Sequence, residues 1–203
     1  MSSMNTQIIL ASGSPRRQQL LQQAGITHEV LVSGADETVT GTPREQVEEL
    51  ALRKANAVLP LVDSSYGDAI IIAADTLVFI DDEVLGKPQN HNEAFEMLKK
   101  LQGNAHRVYT GVALLCVFSG EAKVFADVAD VFFRPLYDEE ILAYIATGEP
   151  FDKAGAYGIQ EKGATLVDRI NGDFYTVMGL PISKVCAALR EFGYNNYDYW
   201  NRR

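Results

Sequence analysis

The sequence predicts a mixed α/β protein: one twisted central sheet flanked by helices, shaped as two lobes around a cleft. Three observations predict it. Extended apolar runs alternate with helical periods through the first half of the chain. The second half contains two long extended stretches joined by the short turn SGEA, the pattern of an antiparallel hairpin. Between them in character stands AIIIAADTLVFI, Ala69 to Ile80, the most continuous apolar run and the natural centre of the sheet.

The elements follow in order. Ile8 to Ala11 reads as a strand, Ser12, Gly13 and Ser14 as a tight turn, and Pro15 as the first residue of a helix capped by Ser14 and running to Gly25. Free backbone N–H groups, the positive end of the helix dipole, Arg16 and Arg17 together suit an anion such as phosphate. The same residues also read as an ordinary capped helix with its arginines in solvent. Ile26 to Ser33 alternates as a strand, followed by a loop carrying Asp36 and Glu37. Thr42, Pro43 and Glu45 then announce a helix whose apolar period lasts to about Leu61. Arg53 and Lys54 lie within it and read individually as solvated surface charges.

Asp75 interrupts the central apolar run. A carboxylate there is paired, hydrogen-bonded, metal-bound or placed where the strand leaves the core, because a bare buried charge is too costly. The plain alternative is a bond to Thr76 or nearby backbone that stiffens a bend. DDEVLGKPQ reads as a hairpin-like turn that holds Lys87 beside Pro88, and Asn90 to Gly103 as a helix. The hairpin strands are Arg107 to Phe118 and Lys123 to Pro135, and a helix spans Asp138 to Thr147. FDKAGAYGIQEKG, Phe151 to Gly163, is rich in glycine and alanine and reads either as a ligand-approaching segment or as a simple connection. ATLVDRINGDFYTVMGLP supplies a strand, an Asn-Gly turn and a second extended piece, and Pro181 to Phe192 is the closing helix. The tail GYNNYDYWNRR reads as a frayed or loosely docked terminus rather than a base-stacking platform.

Composition bounds the function. With 203 residues, 47% apolar and 22% charged, the chain can bury a full core, and it contains no repeat or low-complexity tract. No run approaches the roughly eighteen apolar residues of a membrane span, and MSSMNTQ lacks the features of a signal peptide, so the expectation is cytoplasmic, with no membrane partner. Cys116 and Cys186 lie far apart in apolar surroundings and are expected to be buried free thiols. His28, His91 and His106 show no metal-ligand spacing and read as surface or packing residues. The net charge of −9 opposes long polyanions, so nucleic acid is not an expected partner. A small anion held by a local basic cluster remains allowed.

Separated motifs agree on one family. ASGSPRRQQLL (residues 11 to 21), Asp36-Glu37, Lys54, AADT (73 to 76), LGKP (85 to 88) and DKAGAYGIQ (152 to 160) together resemble the Maf nucleoside triphosphate pyrophosphatases. The likeness runs from Ile8 to about Phe192 and makes the chain a single Maf-like domain, residues 1–203 with a core of about 8–192 and a tail from Gly193. It implies a fold similar to inosine triphosphate pyrophosphatases and hydrolysis of a nucleoside triphosphate to the monophosphate and pyrophosphate with Mg²⁺ or Mn²⁺, often by a homodimer. Carried over, Asp75 is the proton acceptor for water, Glu37 and Asp75 hold the metal, and Ser12, Arg17, Lys54 and Lys87 hold the triphosphate. Arg16, Thr76 and Gln160 resemble the branch acting on dTTP and UTP, and an amide such as Gln160 can pair with a pyrimidine edge. The competing expectations are a purine (inosine or xanthosine) triphosphate pyrophosphatase and a nucleotide-binding regulator of cell division.

Overall fold

The computed structural model describes residues 6–32, 34–63, 66–81 and 83–200. The expected strand end at Ser33, part of the turn DSSYGD, Asp82 and the tail beyond Trp200 lie outside them. Among the described residues the sheet has seven strands: β1 (Gln7–Leu10), β2 (Glu29–Val30), β3 (Ala69–Ile80), β4 (Glu83–Leu85), β5 (Ala105–Cys116), β6 (Ala122–Phe133) and β7 (Val167–Asn171). Their order is β2-β1-β3-β5-β6-β7, with β4 on β3. β1 runs parallel to both β2 and β3, whereas the β3/β4 and β6/β7 pairs are antiparallel, so the sheet is mixed. The α-helices are α1 (Pro15–Gln23), α2 (Pro43–Val58), α3 (His91–Leu101), α4 (Asp138–Ile145), α5 (Phe174–Met178) and α6 (Ile182–Glu191).

The chain divides into two compact units, each with its own core. The first comprises the residues up to Asp75, Thr110–Asp127 and those from Gly179 on; the second comprises Thr76–Tyr109 and Val128–Met178. In the first, Ile9, Ala51, Ala55, Val58, Ile71, Ala73 and Leu115 form an apolar cluster. Ile70, Ile71 and Ile72 are at most 1% exposed, and burial of such side chains contributes roughly 1.5–3 kcal/mol each. In the second, Val78, Leu98, Leu101, Phe133, Ile141 and Tyr157 do the same.

Two details of the first unit matter for the site. Leu10 pairs with Ile72, and Ala11 N–H donates to the Ile72 carbonyl at 2.8 Å, so β1 ends beside Ile72 while β3 runs on to Ile80. Ser12, just past the end of β1, and Asp75, still within β3 but beyond its pairing with β1, therefore lie on the side where parallel strands usually present ligands. The second detail is α2. Its Thr42–Glu45 capping box forms as the spacing predicts, and its backbone sits directly on β5 at Gly111, where any Cβ would lie 2.1 Å from the Val47 carbonyl oxygen.

Several expectations are corrected. The strand foreseen over Ile26 to Ser33 shrinks to Glu29–Val30, an exposed edge. The second helix ends at Val58 and passes into a short 3-10 turn, Leu59–Leu61, containing Pro60. The extended piece foreseen after the Asn-Gly turn is instead the helical turn α5, because Asp173 accepts from the Tyr175 N–H at 2.9 Å and bends the chain into a helix start. Cys116 and Cys186 are free but half-buried rather than buried. The tail is docked: Tyr194 and Asn196 are buried, and Asn196 Nδ2 and Trp200 Nε1 both donate to the Ala24 carbonyl at the end of α1, at 3.1 and 2.9 Å. Gly25, with φ of 72°, leaves the room the Trp200 ring needs; a Cβ there would lie 2.6 Å from it.

Candidate active site

The first unit gathers six of the sequence-predicted residues. Ser12 follows β1 and is 8% exposed. Its hydroxyl oxygen accepts the Ser14 N–H at 3.2 Å and an Arg17 Nη1–H at 3.0 Å. Ser14 occupies the helix cap, but its side chain makes no capping bond, so the expected cap is corrected: the turn is closed by Ser12 instead. Arg17 is also fixed by its Nε–H, which donates to the Gly179 carbonyl at 2.8 Å. Burial pulls the Arg17 guanidinium below the ordinary arginine value; the charge of Asp75 opposes this, Arg16 adds to it, and Glu37 opposes it again. Arg17 thus stands within electrostatic reach of both carboxylates. Arg16, half-buried at the start of α1, stands within reach of Arg17.

Lys54 is the centre of the cluster. Its Nζ lies 2.5 Å from Asp75 Oδ1 and 2.8 Å from Glu37 Oε1. The side chains of Lys54 and Asp75 are only 18% and 12% exposed, while Glu37 is largely exposed. Lys54 lies on the buried stripe of α2, four residues after Leu50 and four before Val58. Its apolar stem runs along that face while its ammonium reaches Asp75 in β3. The reading of Lys54 and Arg53 as solvated surface charges is therefore corrected. Arg53 Nη1–H donates to the Thr38 carbonyl at 2.6 Å and its Nε–H to Glu49 Oε1 at 2.8 Å. Asp75 is accommodated within the continuous strand β3 because it is ion-paired to a lysine, one of the options left open for a carboxylate in that run.

The remaining candidates belong to the second unit. Thr76 follows Asp75 on β3, Lys87 lies in the loop after β4, and Gln160 precedes the 3-10 turn Glu161–Leu166. The two loops are joined: Gly155 N–H donates to the Gly86 carbonyl at 3.0 Å, beside Lys87. The Gln160 segment is held further by Gly158 N–H to Tyr144 Oη at 3.1 Å and by Tyr157 Oη against His106 Nε2 at 2.7 Å. Burial drives the Tyr144 hydroxyl up to about 12 and the Tyr157 hydroxyl above its ordinary value, so both are neutral donors and acceptors. The segment read as loop is thus made of short 3-10 turns with internal anchors.

Two contributors escaped sequence reasoning. The Gly179 carbonyl is a backbone acceptor and carries no side-chain signal. Arg53 follows an ordinary i, i+4 pattern with Glu49 that marks a surface helix. Lys54 did carry a signal, since a lysine breaks an otherwise apolar row at helical spacing.

Comparison with known proteins finds relatives over most of the chain. The family model described as Maf-like protein matches residues 7–192. The chain is 46% identical over 191 residues to a dTTP/UTP pyrophosphatase of Pelotomaculum thermopropionicum, covering 93% of this chain and 98% of that one. It is 48% identical over 187 residues to a dTTP/UTP pyrophosphatase of Bacillus cereus, covering 91% and 95%. Among solved structures, a HAM1 protein from Coxiella burnetii shares the fold with a TM-score of 0.51 at 14% identity, over 92% of this chain and 99% of that one.

Proposed function

This chain belongs to the Maf family, and from that premise we propose that it hydrolyses dTTP and UTP to the monophosphate and pyrophosphate with a divalent metal ion. The observation that carries the reading is the convergence of Glu37 and Asp75 on one ammonium, with the Arg17 guanidinium within their field. Two acids and two bases so arranged suit a polyanion that arrives with a cation.

The donor set fits Mg²⁺ or Mn²⁺. Glu37 and Asp75 offer hard oxygens and already stand on either side of a single positive charge. Among the described residues no group of three or more His, Cys, Asp or Glu could hold a metal, so the two carboxylates would share the ion with phosphate oxygens and water. When bound, the ion neutralises charge on the phosphate oxygens. Arg17 and Lys54 do the same from the protein side, and Ser12, already locked to Arg17, places a hydroxyl at the strand end. Asp75 orients the attacking water and takes its proton as the water oxygen bonds to the α-phosphorus. The bond from that phosphorus to the bridging oxygen breaks, and pyrophosphate leaves with the electron pair.

Lys87 is read as a further triphosphate contact, and Arg16, Thr76 and Gln160 as selectors of the pyrimidine, whose donor and acceptor edge an amide matches. The same reading makes the protein a cytoplasmic homodimer acting on free nucleotide rather than nucleic acid. Among the described residues no helix is long and apolar enough to cross a membrane. Incubation with a nucleotide panel and Mg²⁺, followed by product identification, tests the proposal. Monophosphate and pyrophosphate from dTTP and UTP are expected; a purine-only profile, or binding without turnover, would overturn it.

A further inference from the structure

Glu37 sits in a stretch without regular structure, Gly34 to Gly41, and its side chain is 69% exposed, so packing does not hold it in place. Hydrogen bonds do. Asp36 Oδ1 accepts the Thr38 N–H at 2.9 Å, closing an Asx turn with Glu37 at its middle. Arg53 then grips the turn: its Nη1–H donates to the Thr38 carbonyl at 2.6 Å, with a weaker contact to the Asp36 carbonyl at 3.5 Å. The guanidinium is itself steadied by Glu49, one turn back on α2, at 2.8 Å.

We propose that Arg53 is a positioning residue: it holds the main chain on both sides of Glu37 so that the carboxylate meets Asp75 at the metal site. The proposal rests on the reading of Glu37 as a metal ligand. Arg53 and Lys54 are neighbours on α2 and divide the work, Lys54 holding the carboxylate and Arg53 the backbone. Lys54 must release Glu37 when its ammonium turns to phosphate. Arg53 holds the turn through main-chain oxygens, so its grip persists through that exchange. A planar fork can satisfy Glu49 and the Thr38 carbonyl together, which the compact ammonium of a lysine does less well.

The test uses the full-length protein, with Mn²⁺ titrated calorimetrically without nucleotide and hydrolysis measured against metal concentration. In Arg53→Met the Mn²⁺ Kd and the KM for metal rise about fivefold to tenfold, the scale expected for a group that orients a metal ligand. The kcat at saturating metal stays within about twofold. Arg53→Lys falls between, and Asp36→Ala, which opens the Asx turn, shifts metal affinity in the same direction. An unchanged Mn²⁺ Kd in Arg53→Met overturns the proposal, as does a fall in kcat without a change in metal affinity. Should Arg53→Met fail to fold, Glu49→Gln carries the test, with a smaller shift of the same sign expected and no shift overturning it. Glu37→Gln separates the two levels: if it leaves Mn²⁺ affinity unaltered, the metal reading of Glu37 itself is wrong. If it weakens affinity while Arg53→Met does not, only the positioning role fails.

Discussion

Lys54 and Asp75 form an ion pair of 2.5 Å between a helix and the middle of the central strand, with both side chains mostly withdrawn from water. The lysine thus stands where a divalent cation would have to approach. Lys54→Met removes a competitor from the two carboxylates, and divalent cation affinity in the absence of nucleotide should increase about tenfold, or about 1.4 kcal/mol. Hydrolysis should fall in the same variant. Without metal its carboxylates are left unbalanced, so its melting temperature should be lower than that of the parent and rise more steeply with added Mn²⁺. Calorimetric titration and thermal melts check both; weaker metal binding would contradict the competition.

Asp75→Asn keeps the shape and an acceptor for the Lys54 ammonium but cannot take a proton. Hydrolysis should drop by about 10²–10⁴-fold with the circular dichroism spectrum unchanged. Full activity would remove Asp75 from its assigned role.

His106 is buried at 3% exposure among Phe133 and Tyr157, and burial holds its pKa down to about 4. Its Nε2 meets Tyr157 Oη, while Nδ1 is buried with no partner among the described residues, so a proton there finds no acceptor among them. The folded state binds this proton less readily than the unfolded chain. The resulting stability is fully present above about pH 6.5 and is lost as pH falls toward about 4, on the order of 3 kcal/mol in total. Urea unfolding from pH 7 to pH 4.5 should show that slope, and His106→Gln, which can still pair with Tyr157, should flatten it.

Gly111→Ala would drive a methyl into the Val47 carbonyl. α2 must then lift from the sheet, and the variant should lose about 1–3 kcal/mol of stability. Because Lys54 rides on the same helix, catalytic rate should fall as well, which urea titration and a steady-state assay would read separately.

Much of this was legible in the chain. Continuous apolar character marked β3 as central, and the break at Asp75 marked a charge in need of a partner. Thr42, Pro43 and Glu45 marked the start of α2 to the residue. What failed was local evidence for distant partners. Asp173 looked like part of a hairpin turn because its capping of α5 depends on the direction the chain takes next. The tail looked loose because its anchor, the Ala24 carbonyl, lies 176 residues before Trp200. Arg53 looked solvated because its acceptors are main-chain oxygens, which every residue has.

The hydrogen bond from Arg17 to the Gly179 carbonyl spans 162 positions of sequence. During synthesis at about 5–20 residues per second, that interval lasts roughly ten to thirty seconds. Throughout it the first unit lacks α6 and the tail segment that packs on α1, and of the two bonds described for the arginine only the local one, to the Ser12 hydroxyl, can form. A nascent chain therefore carries Ser12 and Arg17 long before Gly179 emerges to brace the guanidinium from its other side.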